Sequence, residues 1–357
     1  MRAVRYYGPQ DIRLEVNLPE PECLPHQVKV RPHFCGLCGS DLNAYKSPRA
    51  IPLKDTPHPI TNEKWPVTLG HEFSGEVVEI GSEVRGGLEP GDRVAVQPTI
   101  CCGHCVPCRS GSTNLCDSFG FVGLTGWGGG LSDLVSVDAR FVFKLPNSFP
   151  SDIGALVEPL AVAWHAIEQS GIKSGDNVLV MGAGPIGLAV IQCLQAFQPK
   201  QVIVVEVARN RKEVARRLGV TAIIDPNEED VVTKARLLCD TQGPDVAFNC
   251  ASVPSSIKAA CEAVRKKGTI VNVAVWDSDI PINLNTLMFG EKKLFSALSY
   301  TTTDFENVIK LFENNGLPKV GEMITRKITM DRVVEDGILA LIHETDKHVK
   351  ILIDVTA

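Results

Sequence analysis

The fold is decided by the stretch Val178-Leu-Val-Met-Gly-Ala-Gly-Pro-Ile-Gly-Leu188. Its apolar run ends in three closely spaced glycines and then continues in helix-compatible sequence, which predicts a buried strand, a tight turn and the start of a helix. Backbone N–H groups at such a helix start bind phosphate, although glycines at this spacing also occur by chance in loops. The predicted phosphate-binding residues are Gly182, Gly184, Pro185, Ile186 and Gly187.

Length and composition limit the range of functions. A chain of 357 residues suggests about two domains, and a hydrophobic content of 44% is enough for sizeable cores. The net charge of -6 predicts no general attraction to nucleic acid or to anionic membranes. No charge-free apolar run reaches the roughly 20 residues that a membrane span needs, and the N-terminus resembles no signal peptide. We therefore expect a soluble, cytoplasmic protein with neither nucleic acid nor a membrane as a partner.

The chain changes character near residue 157. Before that point it is rich in proline, glycine and short β-prone runs such as 27–31 and 73–80, which predicts a mostly β domain. From Asn177 onward, predicted strands alternate with helices, so we expect a doubly wound parallel α/β sheet. The strand predictions are 178–181, 201–206, 222–224, 246–249 and 269–273, and the helix predictions are 155–170, 211–218, 257–265 and 305–314. A terminal apolar run covers 349–355, and residues 45–66, with five prolines, are expected to be an exposed loop.

Four of the twelve cysteines are closely spaced, with two, two and seven residues between successive members. Four thiolates at this spacing can enclose one tetrahedral ion, and soft sulfur ligands favour structural zinc over magnesium or calcium. An iron–sulfur cluster is the main chemical alternative. The predicted ligands are Cys102, Cys105, Cys108 and Cys116, with Cys101 left over. Because no coordination position stays open, we expect this site to stabilise the fold.

A second set of metal-ligand types is dispersed along the chain. Cys38, His71 and Glu158 would supply one thiolate, one imidazole and one carboxylate, a suitable set for a catalytic zinc with an open fourth position. Each residue also has an ordinary structural explanation: a buried cysteine, a turn histidine and a helix start. Only their joint context favours the metal site.

That context is a family resemblance over essentially the full length. The chain resembles the zinc-containing medium-chain alcohol/polyol dehydrogenases, and within them most closely the (R,R)-butanediol dehydrogenases. The matching motifs are Cys35-Gly-Leu-Cys-Gly-Ser-Asp-Leu42, Gly70-His-Glu72, the four-cysteine loop, Gly120-Phe-Val-Gly-Leu124, Leu156-Val-Glu-Pro-Leu160, Trp164-His-Ala166 and Val273-Ala-Val-Trp276. The resemblance implies a GroES-like catalytic domain, formed by 1–157 and 296–357, around a Rossmann NAD-binding domain, 158–295.

The resemblance also implies a site and a mechanism. It implies one catalytic zinc per subunit, held by Cys38, His71 and Glu158, with Glu72 able to replace a ligand, besides the structural zinc. Asp41 would fix the ring of His71. Ser40 would take the proton of a zinc-bound secondary alcohol while hydride passes to the nicotinamide. Many relatives carry a histidine where this chain has Asn43, and because an amide is no base near neutral pH, this departure puts the usual proton relay in doubt.

Glu206 favours NAD over NADP. It ends the second predicted strand, about 20 residues after the glycine turn, where a carboxylate accepts hydrogen bonds from the ribose and repels a 2′-phosphate. Arg209, Arg211 and Lys212 follow and could instead hold a phosphate. We interpret Arg209 and Lys212 as a solvated helix face, whereas Arg211 is similar to a family residue near the adenosine.

The main hypothesis is therefore a zinc- and NAD-dependent oxidoreductase for a secondary alcohol, such as the vicinal diol 2,3-butanediol, or for the matching hydroxyketone. The alternatives are a sorbitol- or xylitol-type polyol dehydrogenase, a pathway-specific alcohol dehydrogenase and, more remotely, a non-catalytic dinucleotide-binding protein. Relatives are dimers or tetramers, so we expect a homodimer or homotetramer. The pocket candidates Tyr45, Phe119, Phe121 and Trp127 do not discriminate among substrates, because aromatic residues there could equally serve packing.

Overall fold

The computed structural model describes residues 1–47, 54–146 and 149–357. These residues form two compact units. The first contains Met1–Glu158, Thr301–Ile309 and Ile324–Ala357, and the second contains Pro159–Tyr300 and Lys310–Met323. Among the described residues, no helix combines the length and the apolar character needed to cross a bilayer.

The strands and helices are numbered in chain order. The strands are β1 (Ala3–Gly8), β2 (Asp11–Glu15), β3 (Gln27–Gly36), β4 (Val67–Thr68), β5 (Glu72–Ile80), β6 (Arg93–Val96), β7 (Thr99–Ile100), β8 (Gly120–Phe121), β9 (Val135–Asp138), β10 (Val142–Lys144), β11 (Asn177–Met181), β12 (Gln201–Val205), β13 (Ala222–Ile224), β14 (Val246–Asn249), β15 (Thr269–Asn272), β16 (Lys293–Ser296), β17 (Ile324–Thr329) and β18 (Lys350–Asp354). The helices are α1 (Gly39–Lys46), α2 (Val106–Arg109), α3 (Ser151–Gly154), α4 (Val157–Ser170), α5 (Pro185–Leu194), α6 (Arg209–Arg217), α7 (Val231–Leu238), α8 (Pro254–Ala263), α9 (Leu284–Met288), α10 (Thr302–Glu313) and α11 (Leu339–His343).

The second unit is built on a parallel sheet with strand order β13-β12-β11-β14-β15-β16. Strand β11 lies in the interior, and its residues 178–181 are all buried, as expected of a parallel strand covered on both faces. Helices α7 and α8 pack against each other, and α8 also contacts β14. The predicted doubly wound α/β architecture is therefore confirmed.

The glycine turn between β11 and α5 has the predicted local structure. Gly182 has a φ of +94°, a conformation that side chains with a Cβ rarely adopt. Pro185 occupies the first turn of α5, where its missing N–H costs no hydrogen bond. A Cβ on Gly187 would lie 2.0 Å from the carbonyl oxygen of Gly182. The close packing of helix on turn therefore requires glycine at this position.

The first unit is mostly β, as predicted. Its larger sheet runs β10-β6-β5-β3-β18-β17, with β9 also paired to β3, and a smaller sheet runs β2-β1-β4. The long pairing of β3 with β5 places Gly36 opposite Glu72. This register matters for the site, because one strand ends just before Cys38 and the other begins just after His71.

Several predicted boundaries differ from the structure. Helix α7 and strand β16 were not predicted, and α6 and α8 begin two and three residues earlier than expected. Residues 310–323, assigned from sequence to the first domain, lie in the second unit, where Glu322 forms a 2.8 Å ion pair with Arg217. Of the predicted loop 45–66, residues 48–53 lie outside the described residues, and His58 and Thr61 are buried rather than exposed.

Replacing Gly187 by alanine should destabilise the protein by about 1–3 kcal/mol, because the new methyl group overlaps the Gly182 carbonyl. Urea unfolding measures the change. The control is Gly184→Ala in the same turn, whose Cβ would meet only Arg211 Nη1, at 3.7 Å. The free energy of unfolding of that variant should fall by less than about 1 kcal/mol, because alanine is a weaker N-cap of α5 than glycine. Equal losses in the two variants would contradict the packing argument.

Candidate active site and metal centres

The helix start at Cys38 brings three predicted site residues together. Cys38 directly precedes α1, and Asp41, in the first turn, accepts a hydrogen bond from the Cys38 backbone N–H through Oδ2 at 2.8 Å. The Cys-Gly-Ser-Asp spacing thus turns the Asp41 carboxylate back onto the helix start, where it caps an unpaired N–H. Ser40 lies between them, and its hydroxyl is 3.0 Å from His71 Nε2.

His71 is held between Ser40 and Asp41. Its Nδ1 lies 3.8 Å from Asp41 Oδ1, and both atoms are buried without a hydrogen-bond partner in the part of the chain that the structure describes. If Nδ1 carries the proton, it faces the carboxylate, and the Nε2 lone pair then faces Ser40. Nε2 is therefore the ring nitrogen suited to bind a metal, and Asp41 is placed to fix this tautomer.

Glu72 forms a buried ion pair that the sequence analysis did not predict. Both of its carboxylate oxygens bind Lys350 Nζ, at 2.8 and 2.6 Å, and the same ammonium donates to the carbonyl oxygen of Leu37 at 2.9 Å. Both side chains are 1% exposed. A Cβ on Gly36 would lie 2.2 Å from Glu72 Oε2, so glycine at 36 leaves the space that the carboxylate fills.

The charges around Cys38 favour a cation. Burial raises the pKa of the Cys38 thiol, and the charges of Glu72 and Glu158 raise it further. Burial likewise raises the pKa of Asp41. Burial alone would lower the pKa of Lys350, but the charges of Glu72 and Cys38 raise it above its usual value. One buried ammonium thus faces several buried acidic groups. A divalent cation would offset the excess of negative charge that these groups carry when they are ionised.

Cys38, His71 and Glu72 offer ligand atoms that all lie within 4.8 Å of one another. A thiol, an imidazole and a carboxylate are the ligand types that zinc prefers, and the partnerless Asp41 and His71 atoms behind them also fit a metal that orients the ring. Glu158, the second residue of α4, is 6% exposed and close enough for its charge to act on Cys38. The predicted ligand role of Glu158 stays a prediction.

The four-cysteine loop also closes into one cluster. The sulfurs of Cys102, Cys105, Cys108 and Cys116 lie within 4.8 Å of one another, whereas Cys101 is not part of the cluster. Backbone N–H groups point at the sulfurs: Cys102 N–H donates to Cys116 Sγ at 3.2 Å, and Cys105 N–H donates to Cys102 Sγ at 3.4 Å. Such donors stabilise thiolates, the form that binds a metal.

The thiols of this cluster differ in their acidity. The N–H groups of His104 and Cys105 lower the pKa of Cys102 to about 6, and backbone N–H groups also lower the pKa of Cys105. Burial raises the pKa values of Cys108 and Cys116. Four neighbouring thiols cannot all ionise without a compensating cation, so the cluster fits a zinc ion that would hold all four as thiolates.

A cavity of about 890 Å³ opens beside the glycine turn. It is lined by Gly182, Gly184, Pro185, Glu206 and Arg211, all predicted cofactor-binding residues. Ile186 and Gly187, which were also predicted, do not line it. Arg211 leans over the turn, and its buried Nε has no hydrogen-bond partner among the described residues. The cavity size suits a cofactor-sized ligand, and the unpaired guanidinium nitrogen is available to one.

Glu206, predicted to bind the ribose, already accepts hydrogen bonds from the protein backbone. Its Oε2 accepts from the backbone N–H of Ala183 at 2.7 Å, and its Oε1 accepts from Val207 and Ala208 N–H, each at 2.8 Å. Glu206 thus ties the glycine turn to the end of β12. A carboxylate has about four acceptor positions, so room for a ribose hydroxyl remains, and that role stays a prediction.

Comparison with known proteins agrees with this geometry. Residues 24–147 match the alcohol dehydrogenase GroES-like domain, and residues 185–314 match the zinc-binding dehydrogenase family. (R,R)-butanediol dehydrogenase of Bacillus subtilis is 40% identical over 355 residues, covering 99% of each chain. The chain belongs to the zinc-binding alcohol dehydrogenase family. It is therefore an oxidoreductase of the class that acts on CH–OH donors.

A solved butanediol dehydrogenase structure is more similar to this zinc-binding dehydrogenase than a sorbitol dehydrogenase is. The X-ray structure of 2R,3R-butanediol dehydrogenase from Bacillus subtilis has a TM-score of 0.91 and 40% identity, covering 99% of both chains. Sorbitol dehydrogenase of Bacillus subtilis is 31% identical over 307 residues, covering 85% of this chain and 83% of the relative. The predicted family and the predicted combination of a GroES-like and a Rossmann domain are confirmed.

Lys350 was not predicted as a site residue, although the sequence contains a signal for it. The run Val349–Val355 was recognised as apolar, and a lysine inside a strand that becomes buried needs an acidic partner. What the run could not indicate is that the partner is Glu72, which lies 278 residues away in the chain.

Replacing one cysteine of the four-cysteine cluster should remove the structural zinc and leave the predicted catalytic zinc in place. Cys116→Ser should lose one of two bound zinc ions and unfold at a lower temperature, because a structural metal contributes to folding. Plasma mass spectrometry counts the metal, and differential scanning fluorimetry gives the Tm. Cys101→Ser, outside the cluster, is the matched control. Full zinc content in Cys116→Ser would refute the assignment.

Proposed function

We propose that this protein transfers hydride between a small secondary alcohol and NAD, with a vicinal diol such as 2,3-butanediol, or the matching hydroxyketone, as substrate. The observation that carries the proposal is the buried cluster of Cys38, His71 and Glu72, with Glu158 close by, in a chain similar over its full length to butanediol dehydrogenases. The intact cluster also argues against a non-catalytic dinucleotide-binding protein.

The catalytic zinc would be held by Cys38, His71 and Glu158. Support for Glu158 comes from the pairing of Glu72: both oxygens of Glu72 bind Lys350, so using it as a ligand would break a fully buried ion pair. Zinc would act as a Lewis acid on the alcohol oxygen, and the nicotinamide would accept the hydride. Glu72 would then serve mainly to balance Lys350 beside the metal.

Ser40 would accept the proton of the alcohol. Its hydroxyl lies 3.0 Å from His71 Nε2, the nitrogen that would bind the metal, so it stands where a metal-bound alcohol would place its proton. A hydroxyl can accept one proton only while it passes on its own. Because position 43 is an asparagine, water or the cofactor ribose would take the next step.

An apolar wall beside the metal site favours a small diol over a polyol. The Phe121 ring meets the His71 ring edge-on, with centroids 5.7 Å apart, and Phe119 packs against Phe121 at 5.0 Å. A methyl group of butanediol can contact such rings, whereas the many hydroxyl groups of sorbitol would lose their hydration there. The lower similarity to sorbitol dehydrogenase points the same way.

NAD, rather than NADP, would be the cofactor. Five acidic and two basic side chains line the cavity beside the glycine turn, so an additional 2′-phosphate would enter an unfavourable field. Lys212, one of the three basic residues that could hold that phosphate, is instead paired with Asp225. Arg211, which lines the cavity, would contact the adenosine.

The chain would assemble into a homodimer or homotetramer. Large apolar side chains stay exposed on and after α9, with Leu284 71%, Met288 60% and Phe289 77% exposed. They lie close in sequence to β16, the edge strand of the parallel sheet, whose outer side has no partner strand among the described residues. Exposed apolar surface next to a free sheet edge is typical of an interface.

The substrate proposal is tested with a panel of butanediol, sorbitol, xylitol, glycerol and threonine, followed by NADH absorbance. We expect kcat/KM for 2,3-butanediol to exceed that for sorbitol at least about tenfold, and NAD to exceed NADP by a similar factor. Chelation should abolish the signal. Equal values for the two cofactors, or no chelator-sensitive oxidation of any alcohol, would contradict the proposal.

A matched pair of variants decides which carboxylate binds the metal. Glu158→Gln should lose catalytic zinc and lower kcat by roughly 100-fold or more. Glu72→Gln should keep its zinc but unfold at a lower temperature, because Lys350 would be left buried without a counter-charge. The opposite pattern of zinc loss would assign the ligand role to Glu72.

The interface is tested by light scattering after size-exclusion chromatography. Phe289→Glu should shift the mass from an oligomer toward the monomer, because the charge would be buried at the interface. The control is Leu237→Glu, at a position that is 61% exposed on α7. An unchanged oligomer in Phe289→Glu would place the interface elsewhere.

A further inference from the structure

A buried histidine connects two segments of the first unit near the candidate metal site. His58 is 9% exposed and belongs to the segment His58–Glu63. This segment is bonded to residues 119–127 at three points. His58 Nε2 lies 3.3 Å from Phe119 O, Thr61 Oγ1 donates to Thr125 O at 2.7 Å, and Glu63 Oε1 accepts from Trp127 N–H at 2.7 Å.

The neighbours of His58 define its tautomer. Nδ1 faces two backbone donors, Ile60 N–H at 3.4 Å and Thr61 N–H at 3.3 Å, so it must be the acceptor. The proton then lies on Nε2 and is donated to the Phe119 carbonyl oxygen. The imidazole thus accepts hydrogen bonds from its own segment, residues 58–63, and donates one to the segment 119–127.

The close approach of His58 to the backbone at residue 119 requires glycine at position 120. A Cβ at position 120 would lie 2.7 Å from His58 Nε2 and 2.5 Å from Thr125 Oγ1. Thr125 Oγ1 in turn accepts from Phe121 N–H at 2.8 Å. The backbone on both sides of Gly120 is therefore held by side chains that a larger residue at 120 would displace.

The residues held in this way form the apolar wall of the site. Phe119 and Phe121 flank Gly120, and the Phe121 ring contacts His71 edge-on. Neither phenylalanine is fully buried, so part of each ring remains available to a ligand. A shift of the Phe119 carbonyl would move both rings relative to His71.

We propose that His58 is a positioning residue for substrate size: by donating to the Phe119 carbonyl, it sets the distance between the Phe119–Phe121 pair and the metal-binding histidine. This inference rests on the proposed function. A wall held close to His71 accepts the methyl groups of 2,3-butanediol and excludes the ethyl groups of 3,4-hexanediol. One methylene in such a pocket changes kcat/KM by about tenfold or more.

The test compares three variants of the full-length zinc-loaded enzyme. His58→Gln retains an N–H donor that can reach Phe119, whereas His58→Asn and His58→Leu do not. The ratio of kcat/KM for 2,3-butanediol to that for 3,4-hexanediol should fall about tenfold in His58→Asn and His58→Leu and stay within about threefold of wild type in His58→Gln. The matched control is His33→Leu, since His33 is a histidine of the same unit whose contacts, with Ser151 Oγ at 3.1 Å and Glu76 Oε2 at 4.0 Å, lie outside residues 119–127.

Hydrogen–deuterium exchange of residues 119–127 provides a readout that needs no activity. Exchange there should rise in His58→Leu and not in His33→Leu, because the lost bond frees the Phe119 backbone. Unchanged exchange would overturn the link itself, and raised exchange with an unchanged substrate ratio would overturn its role in specificity. So would an equal loss of the ratio in His58→Gln.

Two further outcomes are decisive. If His58→Leu does not fold, Thr61→Val is used instead, because it removes the hydrogen bond from Thr61 to the Thr125 carbonyl oxygen. It should raise the deuterium exchange of residues 119–127 and lower the ratio of kcat/KM for the two diols. If neither quantity changes, the inference is overturned. A wild-type enzyme that oxidises no vicinal diol refutes the proposed function and with it the size selection, whereas the exchange measurement still decides the link between His58 and Phe119.

Discussion

The candidate active site depends on the buried ion pair between Glu72 and Lys350. Removing one partner of such a pair typically costs about 3–5 kcal/mol, because the other charge stays buried without compensation. The pair joins β5, which begins next to His71, to β18 near the end of the chain, and its ammonium also binds the Leu37 carbonyl just before Cys38. One interaction therefore holds the residue that follows His71 and the residue that precedes Cys38 on the same ammonium group. It also places the Lys350 ammonium among acidic groups that otherwise favour a divalent cation.

The two metal centres are built in different ways. The four-cysteine cluster is local: its members lie within 15 residues of sequence, and backbone N–H groups of the same loop point at the sulfurs. The Cys38 site is assembled from distant parts of the first unit: the start of α1, the end of β3 and the start of β5. A local cluster can hold four soft ligands in a closed shell and stabilise the loop, whereas distant elements leave a position open and add the surrounding charges and aromatic rings that chemistry requires.

Much of the fold and of the candidate site could be predicted because its signals are local in sequence. The strand 222–224 and the strand 246–249 have the predicted boundaries, since each apolar run is bordered by polar residues or turns. The four cysteines were also recognisable from their spacing, and the glycine turn from its position between an apolar run and helix-compatible sequence. Helix α7 and strand β16 were missed, because an eight-residue helix and a four-residue, partly exposed edge strand are too short to show a clear hydrophobic period. Glu206 was recognised from the sequence, but its bond to the Ala183 N–H depends on a turn 23 residues away.

By itself, the sequence determined the chemistry available to this protein: a phosphate-binding turn, four clustered thiols and a dispersed thiol, imidazole and carboxylate. These follow from residue types and short spacings, which act over a few residues of backbone. Only the tertiary structure decided the partners of these groups. It paired Glu72 with Lys350 and placed Phe121 against His71, and it buried His58 in a segment expected to be exposed. The physical reason is that burial and charge compensation depend on which distant segments meet, and no periodicity in the chain encodes those meetings.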